Sequence, residues 1–303
     1  MAYEVSLFGK HIQLRDNLCT CKKGEIINGE LYYNLYISIT DVCLASCKFC
    51  NNNTKQKCTK SNIKLDLDKL EAVIKELKNK VELNRISITG GEPLLDISQL
   101  NRVLNLIFEV CGKNQMVTIN TNGINLAKIF ELDSLDLLEG IHVSRHHFDD
   151  TINDEIFGFK TAHIQDIENV QNKLKNKKLL RLNCLLIKDY IDSKDQVKSY
   201  LEIASKLNIF RVGFVGLMSI NDYSKEHYIE YKDVFEDFDE SFEARQLFNK
   251  DVCDCLNGVY MAQNGNLVQY YARVVRKLNP ELAGQFNYSF DNHFNAGFNN
   301  KIF

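Results

Sequence analysis

Short apolar runs alternate along most of this chain with longer segments whose apolar residues recur at every third or fourth position. A short apolar run is typical of a buried strand, and the longer spacing is typical of an amphipathic helix. The pattern predicts six strands, at residues 35–40, 85–89, 116–120, 141–144, 179–186 and 209–215. It predicts a helix after each of the first five, at residues 66–80, 97–111, 124–132, 164–174 and 197–207.

This order of elements predicts an α/β fold, because strands that alternate with helices form a parallel sheet covered by helices. The six units could close part of the way into a barrel or remain an open, doubly wound sheet. In both cases ligands bind at the carboxyl ends of the strands. We expect a strand or hairpin extension at 1–33, the strand–helix repeat at 34–218, and a C-terminal extension at 219–303, where the alternation ends.

Composition narrows the class of protein. The 303 residues include 37 Lys and Arg against 40 Asp and Glu, so the net charge of −3 gives no argument for nucleic acid or a membrane surface as partner. No apolar run approaches the roughly 18 residues of a membrane helix, and the N-terminus has no signal-peptide pattern. We expect a cytoplasmic protein, in which ten cysteines indicate metal or redox chemistry rather than disulfides.

The most informative segment follows the first predicted strand, where Cys43, Cys47 and Cys50 lie within eight residues. Three thiolates can hold a [4Fe–4S] cluster and leave its fourth iron without a protein ligand, so that this iron can bind a small molecule. The alternative is a closed zinc site with Cys58 as the fourth ligand, in a zinc-stapled binding protein.

A second motif, Gly90-Gly91-Glu92-Pro93, follows the second predicted strand. The two glycines allow the backbone to approach a ligand closely, and Glu92 offers a carboxylate to a cationic group such as an amine. Most Gly-Gly pairs only form turns, but this pair lies one strand–helix unit beyond the cysteine loop.

Together the two motifs resemble those of the radical S-adenosylmethionine (SAM) superfamily, whose C-x3-C-x2-C loop has an aromatic residue, here Phe49, before its last cysteine. The resemblance covers about residues 34–218 and implies a partial (β/α)6 TIM-like barrel with short N-terminal and C-terminal extensions. It implies that SAM chelates the open iron and that one electron from the cluster cleaves SAM under anaerobic conditions. The resulting 5′-deoxyadenosyl radical takes a hydrogen atom from the substrate, and a flavodoxin- or ferredoxin-type donor supplies the electron.

Finer similarity, in segments 33–43, 121–123 and 214–218, indicates the branch of GTP 3′,8-cyclases and SPASM/twitch enzymes. By that resemblance Gly91 and Glu92, with Gly90 beside them, hold the methionine end of SAM. The further contacts that it implies are Ser144 at the ribose, Asn183 at the carboxylate or ribose, and Met218 against the adenine.

Two departures separate the chain from the cyclases. Tyr36 stands at about the place of a strand-one arginine that contacts GTP, so GTP cyclisation is not expected. The C-terminal motif for a second cluster is reduced to Cys253-Asp-Cys255, without its third cysteine. We expect a degenerate twitch-like extension without a second cluster, unless Cys19 and Cys21 complete the ligand set.

Polar residues after the fourth predicted strand are candidates for substrate contact. Arg145 could bind a carboxylate or phosphate through two hydrogen bonds, and His146 and His147 could donate hydrogen bonds or carry a proton. The alternative is that one of these histidines caps a helix or binds a backbone carbonyl. Cys58 is a further candidate, as the hydrogen donor to a product radical.

These observations favour a radical SAM enzyme, of oxidoreductase or lyase type, that acts on a small molecule in a biosynthetic pathway. The alternative substrate is a peptide, as in radical SAM (RiPP) maturases. About 33 residues precede the predicted barrel, too few for a leader-peptide-binding domain, which weakens the peptide hypothesis without removing it.

Overall fold

The computed structural model describes residues 2–15, 32–50, 64–230, 232–235, 245–246, 258–262, 265–271, 285–297 and 300–303. Its first elements, β1 (Ala2–Leu7) and β2 (Lys10–Arg15), pair as an antiparallel hairpin. Phe8 and Gly9 form its two-residue turn and both have positive φ, which matches the twist of the paired strands. Cys19 and Cys21 lie outside the described residues.

The six predicted strands are present and form one parallel sheet in chain order. They are β3 (Tyr32–Ser38), β4 (Glu82–Thr89), β5 (Met116–Thr121), β6 (Gly140–Ser144), β7 (Leu180–Leu186) and β8 (Arg211–Gly216). The helices of this stretch are α1 (Leu67–Lys80), α2 (Ile97–Cys111), α3 (Asp150–Phe157), α4 (Ile164–Lys173) and α5 (Lys194–Lys206). In the part of the chain that the structure describes, no helix has the length and apolar character to cross a membrane.

The two faces of the sheet differ in polarity. Along β4, Ile86 and Ile88 are buried in the apolar core, whereas the alternate residues Arg85, Ser87 and Thr89 point to the opposite face. The helices bury their apolar stripes in the same core; on α1 these residues are Leu70, Val73, Ile74 and Leu77. One face of the sheet is therefore packed against helices, and the other carries polar side chains.

Two elements differ from the prediction. Leu126–Glu131 is a 3-10 helix rather than the α-helix predicted at 124–132. The helix α3 was not predicted at all. Asp149 begins it by accepting hydrogen bonds from the backbone of its first turn, and Gly158 ends it in the left-handed conformation. Eight residues give too few apolar repeats for the pattern to show.

The C-terminal part contributes α6 (Asp222–Glu226), α7 (Lys232–Phe235), β9 (Arg245–Gln246), β10 (Gly258–Met261), β11 (Leu267–Tyr271), β12 (Phe286–Tyr288), β13 (Phe294–Ala296) and β14 (Asn300–Lys301). Its strands extend the sheet at both edges: β11 pairs in parallel with β8, and β12 pairs in parallel with β3. Because β3 and β8 do not pair with each other, the described sheet stays open. This agrees with the predicted partial, TIM-like barrel.

Candidate active site

The loop that follows β3 carries Cys43, Cys47 and Cys50 into one small apolar cluster, separate from the main core. The backbone N–H of Cys50 donates to the Cys47 carbonyl at 3.0 Å, so the second half of the loop is a tight turn. Phe49 and Phe157 pack against the three cysteines. The loop therefore offers three sulfur atoms, of which that of Cys47 is buried and those of Cys43 and Cys50 belong to partly exposed residues.

The end of α3 holds this loop in place. The backbone N–H of Ser46 donates to the Phe157 carbonyl at 2.8 Å, and the Cys47 thiol donates to the same oxygen at 4.0 Å. The segment between β6 and α4 is thus part of the site, because it contains α3, which the apolar pattern did not predict.

The chemistry of the three thiols fits an iron–sulfur cluster. Burial, and after it the neighbouring Cys50 and Cys43, raise the pKa of Cys47 to about 12. A metal cofactor reverses this effect, because its positive charge stabilises the thiolates. Among the described residues, no three His, Cys, Asp or Glu side chains converge where a single metal ion could bind.

A zinc ion and an iron–sulfur cluster place different demands on the thiolates. A zinc ion needs each of its thiolates at about 2.3 Å from one centre, whereas a cluster binds each thiolate at a different iron. Cys58, the fourth ligand of the zinc alternative and the candidate hydrogen donor, lies outside the described residues, as do Cys253 and Cys255.

The two glycines that follow β4 pack against the backbone that leads into the cysteine loop. The N–H of Gly91 donates to the Thr40 carbonyl at 2.6 Å, and the N–H of Glu92 donates to the Val42 carbonyl at 2.8 Å. A Cβ atom on Gly91 would collide with the Val42 carbonyl, and one on Gly90, whose φ is 141°, would collide with the Thr40 carbonyl. The close approach that these glycines permit is thus to the chain's own backbone.

Glu92 joins the loops after β4 and β5. Its carboxylate is fully buried and accepts hydrogen bonds from the Thr121 hydroxyl at 2.6 Å and from the backbone N–H groups of Asn122 at 2.7 Å and Leu94 at 3.0 Å. Burial raises the pKa of Glu92 to about 7, although these hydrogen bonds lower it in part. The contact of Glu92 with a SAM amine stays a prediction.

Asn122 continues this network to the sulfur atoms. Its Nδ2 donates to the Sγ of Cys43 at 3.6 Å, while its Oδ1 accepts from the backbone N–H of Ile124 at 2.9 Å. Sequence reasoning placed 121–123 in a family motif but gave Asn122 no role. The available signal was a polar side chain at the carboxyl end of a strand.

The other predicted SAM contacts lie along the same edge of the sheet. Ser144 is the last residue of β6, and Asn183 lies near the end of β7. The two residues are neighbours in register and point to the polar face. Asn183 Oδ1 accepts from Arg181 Nε at 2.8 Å. Met218 follows β8. No contact described here tests their roles toward SAM, which stay predictions.

Arg145 is held within the protein. Its side chain is 1% exposed, forms an ion pair with Asp150 at 2.7 Å, and donates to the carbonyls of Ala162 at 3.2 Å and Phe148 at 3.1 Å. Tyr200 donates to the Arg145 carbonyl at 2.8 Å. These contacts give Arg145 the task of fixing the β6–α3 loop, and they do not favour the substrate contact suggested by the sequence.

The two histidines are buried as well. His146 stacks on Phe157 with ring centroids 4.8 Å apart, meets Phe49 edge-on at 5.3 Å, and accepts from the Leu185 N–H at 3.2 Å. His147 accepts from the Asp149 N–H at 3.0 Å, and burial lowers its pKa. His146 therefore packs beneath the cysteine loop. His147 binds the backbone as an acceptor from an N–H group, whereas the alternative was a bond to a carbonyl.

The polar face contains a group of basic residues that sequence reasoning missed: Arg85 on β4, His142 on β6, Arg181 on β7 and Arg211 on β8. Burial, and after it the charges of the three arginines, lower the pKa of His142 well below its usual value. The signal was present in the predicted strands, where these residues occupy positions that alternate with buried apolar ones.

The chain is similar to known proteins in sequence. A family model described as the radical SAM superfamily matches residues 37–231. A GTP 3′,8-cyclase of Clostridium perfringens (strain SM101 / Type A) is 27% identical over 198 residues, which cover 63% of this chain and 57% of that protein. An RNA methyltransferase, RlmN of Sulfurimonas denitrificans, is 24% identical over 218 residues, which cover 67% of this chain and 58% of that protein. The chain thus matches less than two thirds of the length of either relative.

Solved structures share the fold. SuiB of Streptococcus suis, bound to SAM, superposes with a TM-score of 0.56 at 16% identity, covering 86% of this chain and 59% of that one. A radical SAM methyltransferase from Sphaerobacter thermophilus gives a TM-score of 0.53 at 13% identity, covering 82% of this chain and 69% of that one. At these identities the likeness concerns the fold alone.

Proposed function

Because the chain belongs to the radical SAM superfamily, we propose that it cleaves SAM reductively at a [4Fe–4S] cluster held by Cys43, Cys47 and Cys50. The cofactors of this family are the cluster and SAM. Bound together, they would supply a 5′-deoxyadenosyl radical able to remove a hydrogen atom from a substrate. The chain's own residues have to position the thiols, bind SAM and the substrate, and exclude water.

One observation carries the proposal: three loops at the carboxyl ends of β3, β4 and β5 are hydrogen-bonded into one unit around the cysteines. The N–H of Gly91 donates to the backbone that leads into the cysteine loop. The Glu92 carboxylate accepts from the backbone N–H of Asn122, and the Asn122 side chain donates to the sulfur of Cys43. Such a network fixes the sulfur atoms before any cofactor is bound, which lowers the ordering cost of binding.

The proposed SAM site occupies the same edge of the sheet. The residues assigned to it are Phe49, Gly90, Gly91, Glu92, Ser144, Asn183 and Met218. Their support is their position: they follow, end or approach the ends of β3, β4, β6, β7 and β8, around the cysteine loop. Ligands of parallel α/β sheets bind at this edge.

We favour a small-molecule substrate, because the polar face of the sheet offers charged and amide side chains to a polar ligand. The cyclase relative acts, by its name, on a nucleotide. A peptide is the second candidate, since SuiB, whose fold is similar, has also been solved with its precursor peptide SuiA. A flavodoxin- or ferredoxin-type donor would supply the electron.

The test is SAM cleavage by anaerobically reconstituted protein reduced with dithionite. We expect 5′-deoxyadenosine to form with wild-type protein and to fall to background in Cys43→Ala. The matched control is Cys111→Ala, whose thiol lies on α2 away from the loop and whose loss should leave cleavage intact. Absence of 5′-deoxyadenosine with wild-type protein, or equal amounts with C43A, would overturn the proposal.

The substrate class has its own test. Reduced enzyme and SAM are incubated with candidate metabolites or peptides, and stimulation of 5′-deoxyadenosine formation is measured. A substrate deuterated at the reacting carbon should transfer deuterium to 5′-deoxyadenosine. Stimulation and transfer by peptides alone would replace the small-molecule proposal with the peptide alternative.

A further inference from the structure

The basic residues of the polar face are neighbours. In the parallel register His142 lies beside Arg181, and Arg181 lies beside Arg211, so the three side chains leave the same face of adjacent strands. Arg85 on β4 is close enough that its charge, with those of the other two arginines, acts on His142. Three guanidinium groups therefore share one region of the polar face.

Two of these arginines have unused hydrogen-bonding capacity. The Nε atoms of Arg85 and Arg211 are buried without a hydrogen-bond partner among the described residues. Arg211 forms an ion pair with Glu139 at 2.9 Å through its Nη1 atom, and Arg181 donates to Asn183 at 2.8 Å. Buried donors without acceptors are costly, and guanidinium groups bind oxyanions in pairs of parallel hydrogen bonds.

Arg85 and Arg211 are also reachable. Both are only partly buried, in contrast to Arg145, which is sealed beneath the β6–α3 loop. Because part of each residue is exposed, an anion can meet it without unpacking the core.

We propose that Arg85, Arg181 and Arg211 form a binding site for an oxyanion, a carboxylate or a phosphate, at one end of the substrate. The oxyanion site deepens the proposed function. It rests on that function in one respect, which is that the anion is assigned to the substrate that loses hydrogen. Arg85 lies four residues, and Arg181 and Arg211 each lie five residues, before the carboxyl ends of their strands. At about 3.3 Å per residue along a strand, the anion lies roughly 13–16 Å from the edge of the sheet that carries the cysteine loop. The substrate is therefore an elongated molecule, anionic at the end remote from the reacting carbon.

The test is anaerobic isothermal titration of the reconstituted full chain with two probes, inorganic pyrophosphate and citrate, at constant ionic strength. We expect wild-type protein to bind at least one of them with Kd below about 1 mM. The probe that binds more tightly distinguishes a phosphate from a carboxylate substrate. In Arg85→Gln and Arg211→Gln the Kd should rise by about tenfold or more, because each loses charge-assisted hydrogen bonds.

The matched control is Arg102→Gln, which removes an exposed arginine of α2 and should leave the Kd unchanged. Arg85→Lys is a second variant in case R85Q does not fold; it keeps the charge and should bind more weakly than wild type. No binding of either probe to wild-type protein, or equal affinities in wild type, R85Q and R211Q, would overturn the oxyanion site. Failure of wild-type protein to cleave SAM would instead overturn the proposed function and leave this titration valid.

Discussion

Asn122 links the backbone after β5 to a cysteine sulfur and so acts on the electronic state of the site. A hydrogen bond to sulfur stabilises negative charge there, and such bonds are among the determinants of iron–sulfur potentials. The side-chain N–H of Asn122 would therefore favour the reduced form of the cluster that we propose at Cys43. This effect is separate from metal ligation, so a substitution can test it without removing a ligand.

We expect Asn122→Asp to make the cluster potential more negative, by on the order of 50 mV. Aspartate keeps the acceptor for the Ile124 N–H but loses the donor to Cys43. The measurement is a redox titration followed by EPR, with the exposed Asn169→Asp as control. A potential equal to that of wild type would show that the N–H···S contact contributes nothing.

Glu92 carries a pH dependence whose sign is set by burial. Burial raises its pKa from 4.5 to about 7. The folded state then binds this proton more tightly than the unfolded state. The free energy of unfolding contributed by Glu92 therefore falls as the pH rises from about 4.5 through about 7.

In Glu92→Gln this dependence should be absent. We expect the difference in unfolding free energy, wild type minus variant, to decrease by on the order of 2 kcal/mol between pH 5 and pH 8. Urea unfolding of the cluster-free proteins across that range measures it. A difference that stays constant with pH would mean that Glu92 titrates normally.

The glycine loop after β4 positions the cysteine loop through backbone contacts, so its effect belongs to the element as a whole. Gly91→Ala places a methyl group against the Val42 carbonyl. We expect a loss of about 3 kcal/mol in unfolding free energy, together with lower iron content after reconstitution. Urea unfolding and iron analysis measure the two effects.

Gly112→Ala is the matched control for this substitution. Gly112 follows α2 with φ at 88°, ψ at 164° and open space around its missing Cβ, so only backbone strain should appear, on the order of 1–3 kcal/mol, with normal iron content. Equal losses of iron in G91A and G112A would show that the contact with Val42 does not support the cysteine loop.

Elements with repeated apolar spacing were predictable, and the short helix α3 was not. The six strands and the long helices α1, α2, α4 and α5 follow directly from periodicity. The helix α3 rests on the Asp149 cap and on Gly158, which are common in loops too. Arg145 and His146 are polar residues after a strand, and this suggested substrate contact. In the structure both are buried between α3 and the sheet.

The charge distribution of the whole molecule is visible only once the strands are paired. A net charge of −3 gave no indication of an anion site, yet parallel register places Arg181 beside His142 and Arg211. Likewise, β12 joins β3 across some 250 residues of chain, and no local pattern records so distant a pairing. The three cysteines and the glycine loop were found from sequence because each is a continuous motif.

The central claim is that one iron of the cluster lacks a cysteine ligand and binds SAM. The most direct measurement is the EPR spectrum of reduced, anaerobically reconstituted protein before and after SAM is added. We expect a [4Fe–4S] signal from about four irons per chain, and a change in that signal on adding SAM, because SAM occupies the open iron. A signal that does not respond to SAM, or a colourless protein loaded with zinc, would contradict the account.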